Sequence, residues 1–182
     1  MVRWLLATVV AVALGAGSTF AAVAKTARPS LQSASVSKEA AMNSIIAQVV
    51  QAEDDLLSSL RSGDLARGVG MHLNSPEYRN IWNGEMETYS ELSTRIAAAR
   101  DNGLASIDYH VASRDLFVLD ESNVMATLVA TETTHMSNGA SKSSGRTIIS
   151  ILWRKVEGRW RLGYLHASEQ PQSVASPVLK EK

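Results

Sequence analysis

Trp153-Arg154-Lys155-Val156-Glu157-Gly158-Arg159-Trp160-Arg161-Leu162-Gly163-Tyr164-Leu165-His166-Ala167-Ser168 reads as two strands folded back on each other. Glu157-Gly158 is the break. A two-residue step ending in glycine, between apolar and aromatic runs, is a tight hairpin turn, because glycine takes positive φ without a Cβ penalty. Alternation along the second arm puts Trp160, Leu162, Tyr164, His166 and Ser168 on one face, with Arg161, Gly163, Leu165 and Ala167 on the other. The first face mixes bulk with polar atoms, as the wall of a partly polar cavity does. His166 is its strongest single candidate, since imidazole serves as acid, base or donor near neutral pH. The plainer reading is a histidine that holds a neighbouring strand or carboxylate.

The pattern of strands continues upstream. Arg146 to Val156 is the hairpin's first arm, and parity places Arg146, Ile148, Ser150, Leu152 and Arg154 on a common face. Arg146 in a cavity would grip a carboxylate or an enolate-like oxygen bidentately, although strand arginines are more often simply exposed. Val124 to Met136 is rich in valine and threonine, and Ser137 to Gly145 is a polar loop. Before it, Ile107, Tyr109 and Val111 alternate with Asp108, His110 and Ala112, and Leu116 to Leu119 resumes after an irregularity near Ser113.

Upstream of Gly103 the period changes to that of helices. Ser37 is a cap for a helix carrying Met42, Ile45, Ile46, Val49, Leu56, Leu57 and Leu60, which Gly63-Asp64 ends. A short second helix runs from Leu65 towards His72. Pro76 breaks the chain, Asn83-Gly84 turns it, and a third helix spans Glu85 to Arg100. Helices followed by long hairpin-linked strands make an α+β domain with an antiparallel sheet whose one face the helices cover. Glu53 falls within about 20° of the middle of the first helix's apolar face. A carboxylate there is either a pocket acid or base with a raised pKa, or the partner of a buried arginine. Trp82, Tyr89 and His72 lie on or near the middle helices, placed to close the mouth of the same cavity.

The first 24 residues read as an address. Arg3 is followed by an uncharged stretch from Trp4 to Ala24 that ends in Ala22-Val23-Ala24, the pattern of a secretory signal peptide cut after Ala24. The protein is therefore expected in the periplasm or outside the cell, touching a membrane only if that segment stays uncleaved. Residues 25–36 read as a flexible leader, 37–168 as the domain and 169–182 as a loose tail. Composition mostly excludes. There is no cysteine, hence no disulfide, thiol nucleophile or lipid-modified cysteine anchor. Eighteen basic residues balance 18 acidic ones, which removes the electrostatic case for nucleic acid. The four histidines are scattered, and neither a phosphate loop nor a dinucleotide fingerprint occurs, so no metal and no cofactor is expected.

Two motifs bring a family into view. Leu56-Leu57-Ser58-Ser59-Leu60-Arg61-Ser62-Gly63-Asp64 resembles the helix-then-Gly-Asp start of the nuclear transport factor 2-like superfamily. Trp153 to Ser168 resembles its closing hairpin, most closely in SnoaL-like proteins and the association domain of calcium/calmodulin-dependent kinase II. The resemblance implies a cone: a strongly curved antiparallel sheet wrapping three N-terminal helices around a pocket, with dimers formed through the outer sheet face. It implies further that His166-Ala167-Ser168 lies at the pocket wall. Aligned on Gly63-Asp64, the tyrosine that ketosteroid isomerases use as oxyanion donor falls on Leu56, and the Asp-Arg-Asp set of the epoxide hydrolases finds no match.

Three functions follow as expectations. The first is an exported domain that binds an unknown small molecule in the cone, lined by Trp82, Tyr89, Arg146, Trp160, Tyr164, His166 and Ser168. The second is a cofactor-free lyase, isomerase or hydrolase with Glu53 or His166 as general base and Tyr164 or Arg146 steadying the oxyanion. The third is a dimerising interaction module whose pocket is vestigial.

Overall fold

The computed structural model describes residues 31–170. The expected signal peptide, the first residues of the leader and the chain from 171 onward lie outside the described residues. Helix α1 (Leu31–Arg61) begins within the expected leader, ahead of Ser37. Nothing there stops a helix: the chain from Leu31 to Val36 has no glycine or proline and includes leucine, glutamine and alanine. Val49, Glu53 and Leu56, at helical spacing, are its buried stripe. Gly63, at φ 80°, ends the helical run, and Asp64 caps α2 (Leu65–Gly70) by accepting from the Arg67 N–H at 3.1 Å.

Next comes a hairpin where part of a helix was expected. β1 (Arg79–Trp82) and β2 (Glu85–Glu87) join through Asn83 and Gly84, at φ 51° and 90°. Two consecutive positive-φ residues match the right-handed twist of the flanking strands, so the turn makes a hairpin rather than a helix entry. Helix α3 (Tyr89–Asp101) therefore starts after β2 instead of at Glu85. Its start is set by a capping box, in which Thr88 accepts from the Glu91 N–H and Glu91 reaches back to the Thr88 N–H.

Four long strands follow: β3 (Leu104–Asp120), β4 (Asn123–Met136), β5 (Ser141–Val156) and β6 (Arg159–Glu169). The sheet order is β2-β1-β6-β5-β4-β3. Every pairing is antiparallel except β1 with β6, so the sheet is mixed rather than wholly antiparallel. The result is an α+β cone, a curved and unclosed six-stranded sheet against helices. Its inner face carries Val124, Ala126, Leu128, Ile149, Ile151, Trp153 and Leu162, which with Val49, Leu56 and Tyr78 form the core. No helix among the described residues is long and apolar enough to cross a membrane.

Two irregularities decide which side chains look inward. In β3 the register shifts between Val111 and Ser113, as expected, which turns Arg114 onto the inner face opposite Leu128. In β6 Leu162 pairs with Trp153 and Tyr164 with Leu152, leaving Gly163 as the extra residue of a bulge. Glycine suits that position because the Arg154 side chain already occupies the space a Cβ would take, with its Cδ only 2.7 Å away. An inserted residue reverses parity for everything after it. Trp160 and Leu162 face the core, and so do Leu165 and Ala167, whereas Tyr164, His166 and Ser168 turn outward beside Leu152, Ser150 and Ile148.

Candidate functional site

The bulge divides the residues that strict alternation had grouped. Tyr164, His166 and Ser168 are on the outer sheet face, so the expected pocket wall does not include them. Arg146 shares that outer face, is exposed, and donates to Gln170 Oε1 at 3.3 Å. Trp160 is buried, with Lys155 Nζ 5.6 Å from its ring centroid, and its Nε1–H donates to Gln48 Oε1 of α1 at 3.3 Å. It edges an open groove of about 630 Å³ between α1 and the β5–β6 turn. Trp82 and Tyr89 are partly buried and pack against the core.

Glu53 is the partner of a half-buried arginine. Its side chain is sealed from solvent, and Arg114 Nε lies 2.7 Å from Oε1 while the same guanidinium donates to Asp54 Oδ1 at 2.7 Å. The Glu53 contact is one of charge: neither of its oxygens makes a hydrogen bond of normal geometry. Burial raises its pKa, and Arg114 opposes that shift. The acid is thus locked by Arg114 into the α1–β3 seam.

The inner polar groups come from other residues. His72 follows α2 and bridges to Leu162 of β6, and its Nδ1 lies 2.7 Å from the Tyr78 hydroxyl. Tyr78 is fully buried and meets Tyr89 edge-on, at 6.1 Å between ring centroids. On β1, Asn80 donates through Nδ2 to Glu87 Oε1, and Arg95 of α3 grips the same carboxylate with two hydrogen bonds of 2.9 and 2.7 Å. Across the cone, the Tyr109 hydroxyl of β3 donates to Glu132 Oε2 of β4 at 2.5 Å. Asn80 Oδ1 is buried and has no hydrogen-bond partner. An acceptor left open in an otherwise satisfied network is a place for a ligand's hydroxyl.

The electrostatics follow from burial. Desolvation lowers the His72 pKa to about 4, with Glu87 pulling it up and Arg95 pushing it down, so the imidazole is neutral at pH 7. Burial, then Glu87, raises that of Tyr78, and burial with Glu132 raises that of Tyr109 well above the ordinary phenol, so both remain protonated donors. The paired hydrogen bonds from Arg95 hold Glu87 below the usual carboxylate range. The interior thus offers neutral donors and acceptors beside charges that are already engaged: Arg95 with Glu87, Arg114 with Glu53, and Glu132 with the Tyr109 hydroxyl.

A cavity of about 180 Å³ opens beside His72 and Tyr89, bounded by Leu73, Asn74 and the β5–β6 turn. His72 Nε2 and the Tyr89 hydroxyl make no hydrogen bond within the described residues. The sequence hinted at this site through His72 and Tyr89. The network of Tyr78, Asn80, Glu87 and Arg95 was not legible, because β1 and β2 were not.

The SnoaL-like domain family model matches residues 49–173, from the middle of α1 to just past β6. The chain belongs to the SnoaL-like family. Among solved structures, the SnoaL-like chain is similar to a protein provisionally named a scytalone dehydratase from Novosphingobium aromaticivorans, at 7% identity and a TM-score of 0.63, covering 72% of this chain and 88% of that one. A nuclear transport factor 2-like superfamily protein from Salmonella enterica matches at 16% and 0.62, covering 75% and 98%. A provisionally named calcium/calmodulin-dependent kinase II association domain from Xanthomonas campestris matches at 16% and 0.57, covering 68% and 86%. At these identities the likeness is one of fold. No curated protein matches the chain.

Proposed function

We propose that this SnoaL-like chain is an exported domain that binds a small molecule at the polar end of its cone, beside His72 and Tyr89. The observation that carries the reading is the inward-facing set of neutral polar groups, with Asn80 Oδ1 buried and unpartnered and His72 Nε2 free at a cavity. Such a site recognises hydroxyl or carbonyl groups and needs no cofactor. Export rests on residues 1–24.

Binding is favoured over catalysis by magnitude. A general base works best with a pKa near the operating pH, and an imidazole held near 4 is a weak proton acceptor at pH 7. Glu53 is sealed and His166 faces outward, which leaves both bases of the lyase reading without a cavity. Two similar structures carry dehydratase names, but at 7% and 14% identity. The outer face offers Phe117, 69% exposed, in a cross-sheet row with Met125, Leu152 and Tyr164, and a homodimer through that face completes the proposal.

Native mass spectrometry of protein purified from the exporting cell tests both parts. A dimer carrying an organic molecule is expected in the parent chain and in His166→Ala, with the molecule lost from His72→Ala and the dimer from Phe117→Lys. Bare protein in every preparation would sink the binding reading and favour the interaction module.

A further inference from the structure

We propose that the cavity beside His72 takes a small organic carboxylate, gripped at its rim by Arg159 and Arg161; this rests on the binding reading above. The two arginines stand at alternate positions of β6, so their side chains leave the same face of the strand. Both line the cavity, and both also edge the larger groove beside α1.

Neither arginine has a carboxylate partner among the described residues, a lack they share with Arg67, Arg79 and Arg146, but they are the two that line this cavity. Arg61, Arg95, Arg100, Arg114 and Arg154 each form an ion pair with an aspartate or glutamate. Among the described residues, the Arg159 side chain makes no hydrogen bond or ion pair, and the Arg161 side chain makes one bond, from Nη1 to the Gly70 carbonyl at 2.6 Å. That bond anchors the guanidinium and leaves its other N–H groups to be filled. Glu157 also lines the cavity but pairs with neither arginine. Two arginines against one glutamate leave the rim net positive, and the neutral imidazole behind it adds no charge of its own.

The remaining wall chooses the kind of anion. Leu73, Val156 and Tyr89 present hydrocarbon and an aromatic ring, a surface suited to the body of an organic acid rather than to a bare inorganic oxyanion. Guanidinium meets a planar carboxylate through two parallel hydrogen bonds, which fixes direction as well as charge. At about 180 Å³ the cavity is smaller than the roughly 300–1,000 Å³ common for drug-sized ligands, which points to a compact acid. With its carboxylate at the arginines, such an acid puts its other end against His72 Nε2 and the Tyr89 hydroxyl.

The test uses the full exported chain, isotope-labelled for NMR, titrated at constant ionic strength with benzoate, benzamide and inorganic phosphate. Benzoate is expected to shift the His72 and Tyr89 resonances saturably and to bind at least tenfold more tightly than benzamide. The double variant Arg159→Gln/Arg161→Gln is expected to lose at least tenfold in benzoate affinity while its amide spectrum away from the β5–β6 turn stays the same. Equal binding of benzoate and benzamide would overturn the inference while leaving the small-molecule reading in place. Unchanged benzoate affinity in the double variant, phosphate binding as tightly as benzoate, or no shift with any of the three would also overturn it.

Discussion

Replacing Arg114 by leucine is expected to lower the unfolding free energy by about 3–5 kcal/mol, the largest stability loss of any single change at this fold's polar residues. The reason is what remains. Glu53 has no exposed surface and no aligned hydrogen bond, so the charge on Arg114, 2.7 Å away, is what makes its ionised form tolerable. Removing the arginine strands a carboxylate in the α1–β3 seam and drives its already raised pKa further up. The double variant Glu53→Leu/Arg114→Leu removes both charges and is expected to recover most of the loss, since well-packed apolar residues often replace a buried ion pair without penalty. Urea unfolding of the parent, both single variants and the double variant measures this. A double variant as unstable as Arg114→Leu alone would mean that the seam depends on the arginine's packing, not on the charge it neutralises.

The second large effect depends on pH. His72 has a folded pKa near 4 against 6.5 for a free imidazole, so between those values the unfolded chain takes up a proton that the folded chain refuses. Stability from this source is fully present above pH 6.5 and is lost as the pH falls towards 4, by about 3 kcal/mol in all. Glu87, whose pKa is lowered by Arg95, loses its own contribution only below the ordinary carboxylate range, and Glu53, whose pKa is raised, acts with the opposite sign in both chains, so the difference between the parent and His72→Gln isolates His72. As the pH falls from 6.5 to about 4, unfolding free energies should fall by about 3 kcal/mol more in the parent chain than in His72→Gln. Parallel profiles would show that His72 is not held neutral.

Much of the architecture was legible in the sequence because periodicity and turn chemistry are local. The α1 stripe, the Glu157-Gly158 turn, the irregularity in β3 and the cone itself could be read from spacing or from the two family-like motifs. What failed depended on single residues whose effect is not local. Gly163 looked like one more position in an alternating strand. As a bulge beside Arg154 it exchanged the faces of three predicted pocket residues and sent His166 outward. Asn83-Gly84 was read correctly as a turn, but the strands on either side are only four and three residues long and gain support from distant β6. No local pattern reveals that support, and with those strands went Asn80 and Glu87. Glu53 showed the opposite case: its wheel position marked a buried charge correctly, and the choice between base and ion pair waited for Arg114.

The claim that matters most is that the inner face, centred on His72, receives a ligand and the outer face does not. The direct measurement is an NMR comparison of the purified chain before and after unfolding and refolding, which strips any small molecule bound to it. Changes centred on His72, Leu73, Asn74, Tyr89, Arg159 and Arg161 are the predicted result. Changes confined to Leu152, Tyr164, His166 and Ser168, with the inner resonances still, would contradict it.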